Sequence, residues 1–122
     1  MATTKDWTVA RKRSFIVSVL RAGTRRWPPK YEAMDDAKTE KKINKKTGRL
    51  AQHYLCNGCR NEFVAKDVQA DHIQPVVGEE GFISWDVYIE RMFCDKQNFQ
   101  CLCTSCHSTK TKKERSGRKK SD

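Results

Sequence analysis

The sequence has no apolar stretch that approaches the length of a membrane span. The longest one, residues 15–20, is interrupted by Ser18 and lies between Arg13 and Arg21. A helix that crosses a bilayer needs about 20 mostly apolar residues, and no small-residue cleavage site of a signal peptide follows this stretch. We therefore expect a soluble, cytoplasmic protein without a membrane partner.

The chain is also poor in the residues that build a large hydrophobic core. Hydrophobic residues make up 37% of its 122 residues, aromatic residues 9% and charged residues 33%. No internal repeat with a period of roughly 20–50 residues is present, which excludes a solenoid or a propeller. Because one short domain of this composition buries little apolar surface, a structural metal ion would add useful stability.

Positive charge is abundant and unevenly distributed. The formal net charge is +10, with +9 in residues 1–50, −4 in residues 51–109 and +5 in residues 110–122. Basic segments favour a polyanionic partner, because each phosphate that they neutralise releases condensed counterions. Acidic residues at the centre favour a divalent cation. The alternative is that the basic ends only keep the chain solvated.

Six cysteines provide the strongest spacing pattern. Cys56 and Cys59 form one C-x-x-C pair, and Cys103 and Cys106 form another. Each pair can offer two thiolates from a tight turn, and four thiolates complete a tetrahedral zinc site. The 43 residues between Cys59 and Cys103 exceed the spacing of a compact zinc ribbon, so a further segment is inserted. The remaining cysteines, Cys94 and Cys101, are expected to be small buried hydrophobic residues.

Hydrophobic periodicity and capping signals divide the chain into helices and strands. Asp6 is a candidate N-cap for a first helix that Gly23 would end. Pro29 suits the first turn of a second helix that reaches Ile43, and residues 44–48 indicate a turn. The other expected elements are strands over residues 68–73 and 99–103, a helix capped by Ser84, and a helix over residues 105–115.

These elements predict a small α+β protein with three parts. Residues 1–49 would form a basic, mainly helical N-terminal arm. Residues 50–115 would form the metal-binding domain, and residues 116–122 would form a flexible basic tail.

The segment between the two cysteine pairs carries a second pattern. Asp71 and His72 begin a D-H-I-x-P run, Asn98 follows later, and His107 directly follows the last cysteine, Cys106. With these positions the chain resembles the HNH endonucleases, a family of the ββα-metal (His-Me finger) nucleases, in their zinc-knuckle form. The resemblance covers residues 54–113, and it implies a zinc-stabilised ββα-metal core.

The residue types suit phosphodiester hydrolysis independently of the family. This reaction needs a nucleophilic water, a Lewis acid for the developing charge, and in-line placement of both. A histidine is a good base near neutral pH, and an adjacent carboxylate can hold a hard cation such as Mg²⁺. Asp71 and His72 would point to opposite sides of a regular strand, so the site requires the backbone to twist at the strand end.

The resemblance implies a role for each matching residue, with His72, Asn98 and His107 as the catalytic set. His72 would be the general base, and Asp71 and His107 would ligate the catalytic cation, Mg²⁺ or Mn²⁺ before Ni²⁺ or Zn²⁺. Asn98 would tie the loop to the backbone and so aim His72. The separate structural zinc would be held by Cys56, Cys59, Cys103 and Cys106.

The implied partner is double-stranded DNA, and the implied reaction is nicking or double-strand cleavage. The cationic residues expected to contact DNA are Arg25, Arg26, Lys110, Lys112 and Lys113. Free-standing HNH proteins of this size are often encoded by phages or mobile elements, so other DNA-processing proteins of such an element are candidate partners.

Two alternatives stay open at this point. His107 directly follows Cys106 and can instead be a ligand of the structural zinc. The whole chain can also be a non-enzymatic zinc-ribbon DNA-binding module, which would use the same cysteines and basic segments. That module gives Asp71, His72 and His107 no function.

Overall fold

The computed structural model describes residues 5–117. In this range four α-helices and two small antiparallel sheets are present, so the predicted small α+β class is confirmed. The helices are α1 (Val9–Gly23), α2 (Pro28–Asp36), α3 (Trp85–Met92) and α4 (Thr104–Gly117). The strands are β1 (Lys38–Ile43), β2 (Leu50–Leu55), β3 (Glu62–Val64), β4 (Val68–His72) and β5 (Phe99–Cys103).

The first helix begins later than its sequence signal suggested. Thr8, and not the predicted Asp6, is its N-cap, and the Thr8 side chain accepts a hydrogen bond of 3.1 Å from the Arg11 backbone N–H. A threonine cap satisfies a backbone donor that the helix itself leaves free. The helix ends at Gly23 as predicted, and a 3₁₀ turn, Thr24–Arg26, leads into α2.

The second helix is shorter than predicted, which is a clear error of the sequence interpretation. It starts at Pro28 but ends at Asp36, and the residues expected to continue it form strand β1. Strand β1 pairs antiparallel with β2, with Ile43 opposite Leu50. The local sequence is compatible with a helix, but the ladder to β2 satisfies the backbone of β1 through contacts that no local pattern contains.

The predicted turn at residues 44–48 joins these two strands. The backbone N–H of Asn44 donates to the Arg49 carbonyl at 2.7 Å, and the N–H of Gly48 donates to the Asn44 carbonyl at 2.7 Å. Gly48 has φ of 72°, a conformation that glycine adopts without steric cost. The predicted boundary between residues 49 and 50 therefore falls within a β-hairpin, and the division into arm and domain stays a prediction.

The second sheet consists of β4 and β5 and positions Asp71 and His72. The antiparallel register sets Asp71 opposite Gln100 and His72 opposite Phe99. Helix α2 packs against both strands, and α4 follows β5 directly. The most buried apolar residues lie on or beside this sheet: Cys56, Tyr88, Met92, Phe99, Cys101, Leu102 and Cys103.

Helix α3 fills the connection between β4 and β5. Its predicted cap is confirmed, because the Ser84 hydroxyl accepts a hydrogen bond of 3.2 Å from the Val87 backbone N–H. Between residues 5 and 117, no helix has both the length and the apolar character needed to cross a bilayer. Of the predicted tail, residues 118–122 lie outside the described residues.

Candidate active site and metal centre

The four cysteines of the two C-x-x-C pairs come together as predicted. The sulfur atoms of Cys56, Cys59, Cys103 and Cys106 all lie within 4.8 Å of one another, and the Cys59 and Cys103 sulfurs are 4.0 Å apart. Thiolates at ~2.3 Å from one zinc ion in a tetrahedron lie about 3.8 Å from each other. The cluster therefore fits a metal ion such as zinc.

Gly58 lies where the two cysteine turns approach each other closely. A Cβ atom on Gly58 would lie 3.0 Å from the Cys106 sulfur and 3.1 Å from the Cys106 Cβ atom. Directly after the first pair, Arg60 has φ of 62°, and its guanidinium donates to the Asn57 side chain at 3.2 Å. The chain thus turns sharply around the sulfur atoms with little space to spare.

The hydrogen bonds around the cluster favour a thiolate at Cys56. Burial by itself raises the pKa of the Cys56 thiol, but hydrogen bonds from the backbone N–H groups of Cys59, Cys103 and Gly58 lower it to about 6. By contrast, hydrogen bonds to the sulfurs of Cys103 and Cys56, together with burial, raise the pKa of Cys106 to about 12. Metal binding at this cluster would therefore release protons.

The other two cysteines do not belong to the cluster. Cys101 is buried, and burial raises the pKa of its thiol to about 11. Cys94 is half-buried, and its carbonyl accepts a hydrogen bond of 2.7 Å from the Trp27 indole. The predicted burial is therefore confirmed for Cys101, whereas Cys94 is only partly buried and its sulfur accepts a hydrogen bond of 3.5 Å from the Asn98 side chain.

Asp71 is the most buried charged residue among those described, with 8% of its surface exposed. One oxygen, Oδ1, faces His107 Nε2 at 3.6 Å. The other, Oδ2, accepts hydrogen bonds from Gln100 Nε2 at 3.0 Å and pairs with Lys110 Nζ at 3.1 Å. A buried carboxylate needs such partners, because an uncompensated charge is strongly disfavoured in the interior.

The His72 ring is held in a single orientation. Its Nε2 lies 2.9 Å from the Met92 backbone carbonyl oxygen, and its ring centroid lies 4.6 Å from that of Phe99. A carbonyl can only accept a hydrogen bond, so Nε2 carries the proton in the neutral ring and Nδ1 carries the free lone pair. The arrangement leaves Nδ1 as the atom that can accept a proton.

Asn98 connects the loop after β4 to the start of β5. Its backbone carbonyl accepts a hydrogen bond of 2.8 Å from the Ile73 N–H. Its side-chain oxygen accepts one of 3.3 Å from the Gln74 N–H. These are contacts of the kind that the predicted aiming role requires, since Ile73 and Gln74 directly follow His72.

One cavity of about 510 Å³ brings the three predicted active-site residues together. Asp71 and His72 both line it although they are neighbours in sequence, and His107 reaches it from α4. Strand β4 ends at His72, which is where the sequence required the backbone to depart from regular alternation. The cavity is also lined by residues from the N-terminal helical segments and from α3: Arg21, Thr24, Lys30, Tyr88 and Met92.

Sequence reasoning missed two residues around Asp71 and its partner Lys110. Gln100 donates to Asp71 from the opposite strand, and Glu114, which lines the cavity, lies one helical turn after Lys110 and contacts its Nζ at 2.5 Å. The i,i+4 spacing of Lys110 and Glu114 was a usable signal for their pairing. Gln100 carried no such signal, because its proximity to Asp71 depends on strand register.

The residues expected to contact DNA lie in different environments. Lys110 points inward, and its Nζ also donates to the His72 carbonyl at 2.9 Å. Lys112 and Lys113 are exposed on α4, and Arg25 and Arg26 are exposed in the turn after α1. Their role in DNA binding stays a prediction. Comparison with protein-family models, with curated proteins and with solved structures finds no match to this chain.

Proposed function

We propose that this protein is a metal-dependent DNA endonuclease of the HNH type that hydrolyses phosphodiester bonds with a histidine-activated water. The observation that carries the proposal is the cavity in which His72, Asp71 and His107 meet. A ring with one proton-accepting nitrogen, beside a buried carboxylate and a second imidazole, contains the base and the cation ligands that this hydrolysis needs.

The residues present fit a divalent cation between Asp71 and His107. Their facing atoms are 3.6 Å apart, which is longer than a normal hydrogen bond. Two ligands at ~2.1 Å from a common ion lie about 3–4 Å apart. When bound, Mg²⁺, Mn²⁺ or a softer divalent ion there would polarise the scissile phosphate and neutralise charge on the leaving oxygen.

His72 supplies the base in this proposal. Nδ1 accepts a proton from water as the water oxygen attacks phosphorus, and the bond from phosphorus to the 3′ oxygen breaks. The 3′ oxygen leaves with the bonding electron pair and takes a proton from solvent. The ring then carries two protons and a positive charge. The Met92 carbonyl stabilises that charge, because a hydrogen bond from a charged donor is stronger than one from the neutral ring.

The cysteine cluster has a separate, structural role. Cys106 and His107 are adjacent at the start of α4, so an ion bound by the cluster fixes the backbone that carries His107. Cys103 ends β5, whose register positions Gln100 against Asp71. A structural zinc would thereby hold both sides of the catalytic cavity in place.

Plasmid nicking in Mg²⁺ and in Mn²⁺ tests the proposal, with His72→Ala compared with wild type. The expected loss is about 10²–10⁴-fold in rate with unchanged DNA binding. His53→Ala is the matched control, because His53 lies on β2, outside the cavity, and its ring contacts only the Ala51 carbonyl at 2.9 Å among the side-chain hydrogen bonds of the described residues. If the wild type shifts DNA on a gel but cuts it with no divalent ion, the protein is a zinc-ribbon DNA-binding module instead.

A further inference from the structure

Two residues that precede the stretch resembling HNH nucleases, Arg21 of α1 and Lys30 of α2, line the same cavity as Asp71 and His72. Tyr88 of α3 lines it as well; it lies inside that stretch but at none of the positions that carry the resemblance. The predicted N-terminal arm therefore contributes directly to the site. This contribution has no counterpart in the sequence signals, which pointed to Arg25 and Arg26.

The Tyr88 hydroxyl in this wall lacks a hydrogen-bond acceptor. Only 3% of Tyr88 is exposed, and among the residues that the structure describes the polar group near its hydroxyl is the Arg21 guanidinium, which can donate a hydrogen bond but not accept one. Burial raises the pKa of Tyr88, and the positive charge of nearby Arg21 opposes that effect. A buried hydroxyl without an acceptor costs folding free energy. Because this hydroxyl lies beside a cavity, a ligand in the cavity can supply the atom that accepts its hydrogen bond.

The two cations in this wall are likewise not neutralised. In the described range, 5–117, neither Arg21 nor Lys30 has a carboxylate within ion-pair distance. The cavity's own carboxylates, Asp71 and Glu114, are instead paired with Lys110. The wall thus offers two positive charges and one hydroxyl donor to whatever enters the cavity.

We propose that Arg21, Lys30 and the Tyr88 hydroxyl form a phosphate subsite that holds a phosphodiester adjacent to the one being cleaved. A guanidinium fork, an ammonium and a hydroxyl are suitable donors to phosphate oxygens. The cavity volume of about 510 Å³ lies in the range of small-ligand sites, which is roughly 300–1,000 Å³. This subsite rests on the proposed nuclease function for its place next to the scissile bond.

Tyr88→Phe distinguishes a role in phosphate binding from a structural role. The Tm of the DNA-free protein and the affinity for duplex DNA should respond to it differently. Removing a buried hydroxyl that has no acceptor should leave the Tm of the DNA-free protein unchanged or raise it by roughly 2–5 °C. The same change should weaken duplex binding about tenfold, because a hydrogen bond to a charged oxygen is lost. Tyr31→Phe is the matched control, because Tyr31 donates its hydroxyl to the Arg25 carbonyl and does not line the cavity.

Arg21→Gln and Lys30→Gln test the electrostatic part. Each should raise KM with little change in kcat, and each should make the slope of log K against log salt shallower by about 0.9. If duplex affinity and salt slope stay at wild-type values in all three variants while wild type cuts DNA, the subsite is wrong and the nuclease stands. If the variants lose duplex binding but wild type cuts no DNA, the three residues bind phosphate as proposed, but the nuclease and the place of the subsite beside a scissile bond are wrong.

Discussion

Lys110 Nζ lies 3.1 Å from Asp71 Oδ2, which makes an ion pair at the carboxylate that the proposed cation would use. The same ammonium contacts the His72 carbonyl at 2.9 Å and Glu114 Oε1 at 2.5 Å. Lys110 is thus held among oxygen atoms of the kind that bind hard cations. A divalent ion at Asp71 and the Lys110 ammonium must therefore compete for the same carboxylate.

The first prediction follows from this competition. Lys110→Met should strengthen Mn²⁺ binding to the DNA-free protein, because the carboxylate loses its resident positive charge. It should also lower the stability of the protein without Mn²⁺ by about 1–3 kcal/mol, since Asp71 stays buried. Isothermal titration with Mn²⁺ on zinc-loaded protein and thermal unfolding measure the two effects. Lys112→Met, an exposed neighbour on α4, is the control, and equal Mn²⁺ affinity in both variants contradicts the competition.

The second prediction concerns the orientation of His72. Asn98→Ala removes the side-chain acceptor of the Gln74 N–H but keeps the backbone bond to Ile73. The loop after His72 should loosen, and kcat should fall about tenfold or more with unchanged duplex affinity. Asn98→Asp keeps an oxygen at that position and should recover most of the rate. A rate loss as large in Asn98→Asp as in Asn98→Ala would point to a different role for the side chain.

The third prediction concerns the close approach of the two cysteine turns. Gly58→Ala places a methyl group 3.0 Å from the Cys106 sulfur, so the turns must separate. Zinc affinity should fall, and the zinc-loaded protein should lose about 1–3 kcal/mol of unfolding free energy. Competition with a chelator and thermal unfolding measure these quantities. Gly23→Ala is the control, because the added Cβ would lie at an ordinary 3.8 Å from Phe93; equal behaviour of the two variants would contradict the argument.

The fourth prediction concerns the β1–β2 hairpin as a DNA-contacting surface. Lys45, Lys46 and Arg49 are exposed at its turn, and in residues 5–117 none of them has a carboxylate at ion-pair distance. Changing all three to Gln should make the salt dependence of DNA binding shallower by up to about 2.7 in slope. Gel-shift titrations over a range of salt concentrations measure it. The charge-conserving control, Lys45→Arg with Lys46→Arg and Arg49→Lys, should keep the wild-type salt slope. If the triple change to Gln also keeps the wild-type slope, the hairpin does not contact DNA.

Point variants test the charge of the basic segment more cleanly than a deletion of residues 1–49 would. The deletion would remove strand β1 from its sheet and helix α2 from its packing against β4 and β5. A loss of DNA binding after such a deletion would therefore not distinguish lost charge from lost structure.

Several features could be predicted because their causes are local in sequence. Two C-x-x-C pairs predict one four-sulfur cluster, since each tight turn can present two sulfurs to the same ion. The Ser84 cap and the stop of α1 at Gly23 also follow from short-range hydrogen bonding and backbone preference. The strand over Phe99–Cys103 was visible from its alternating residues.

The tertiary structure decided what depends on distant partners. Residues 38–43 form a strand because β2 is available to pair with them, although their own sequence is compatible with a helix. The cavity of the proposed active site also depends on tertiary packing. The sequence by itself determined that Asp71, His72 and His107 are present, in an order that resembles the HNH nucleases. Only folding brought Arg21, Lys30 and Tyr88 beside them and placed Lys110 on Asp71, because contacts between elements far apart in the chain depend on packing and register.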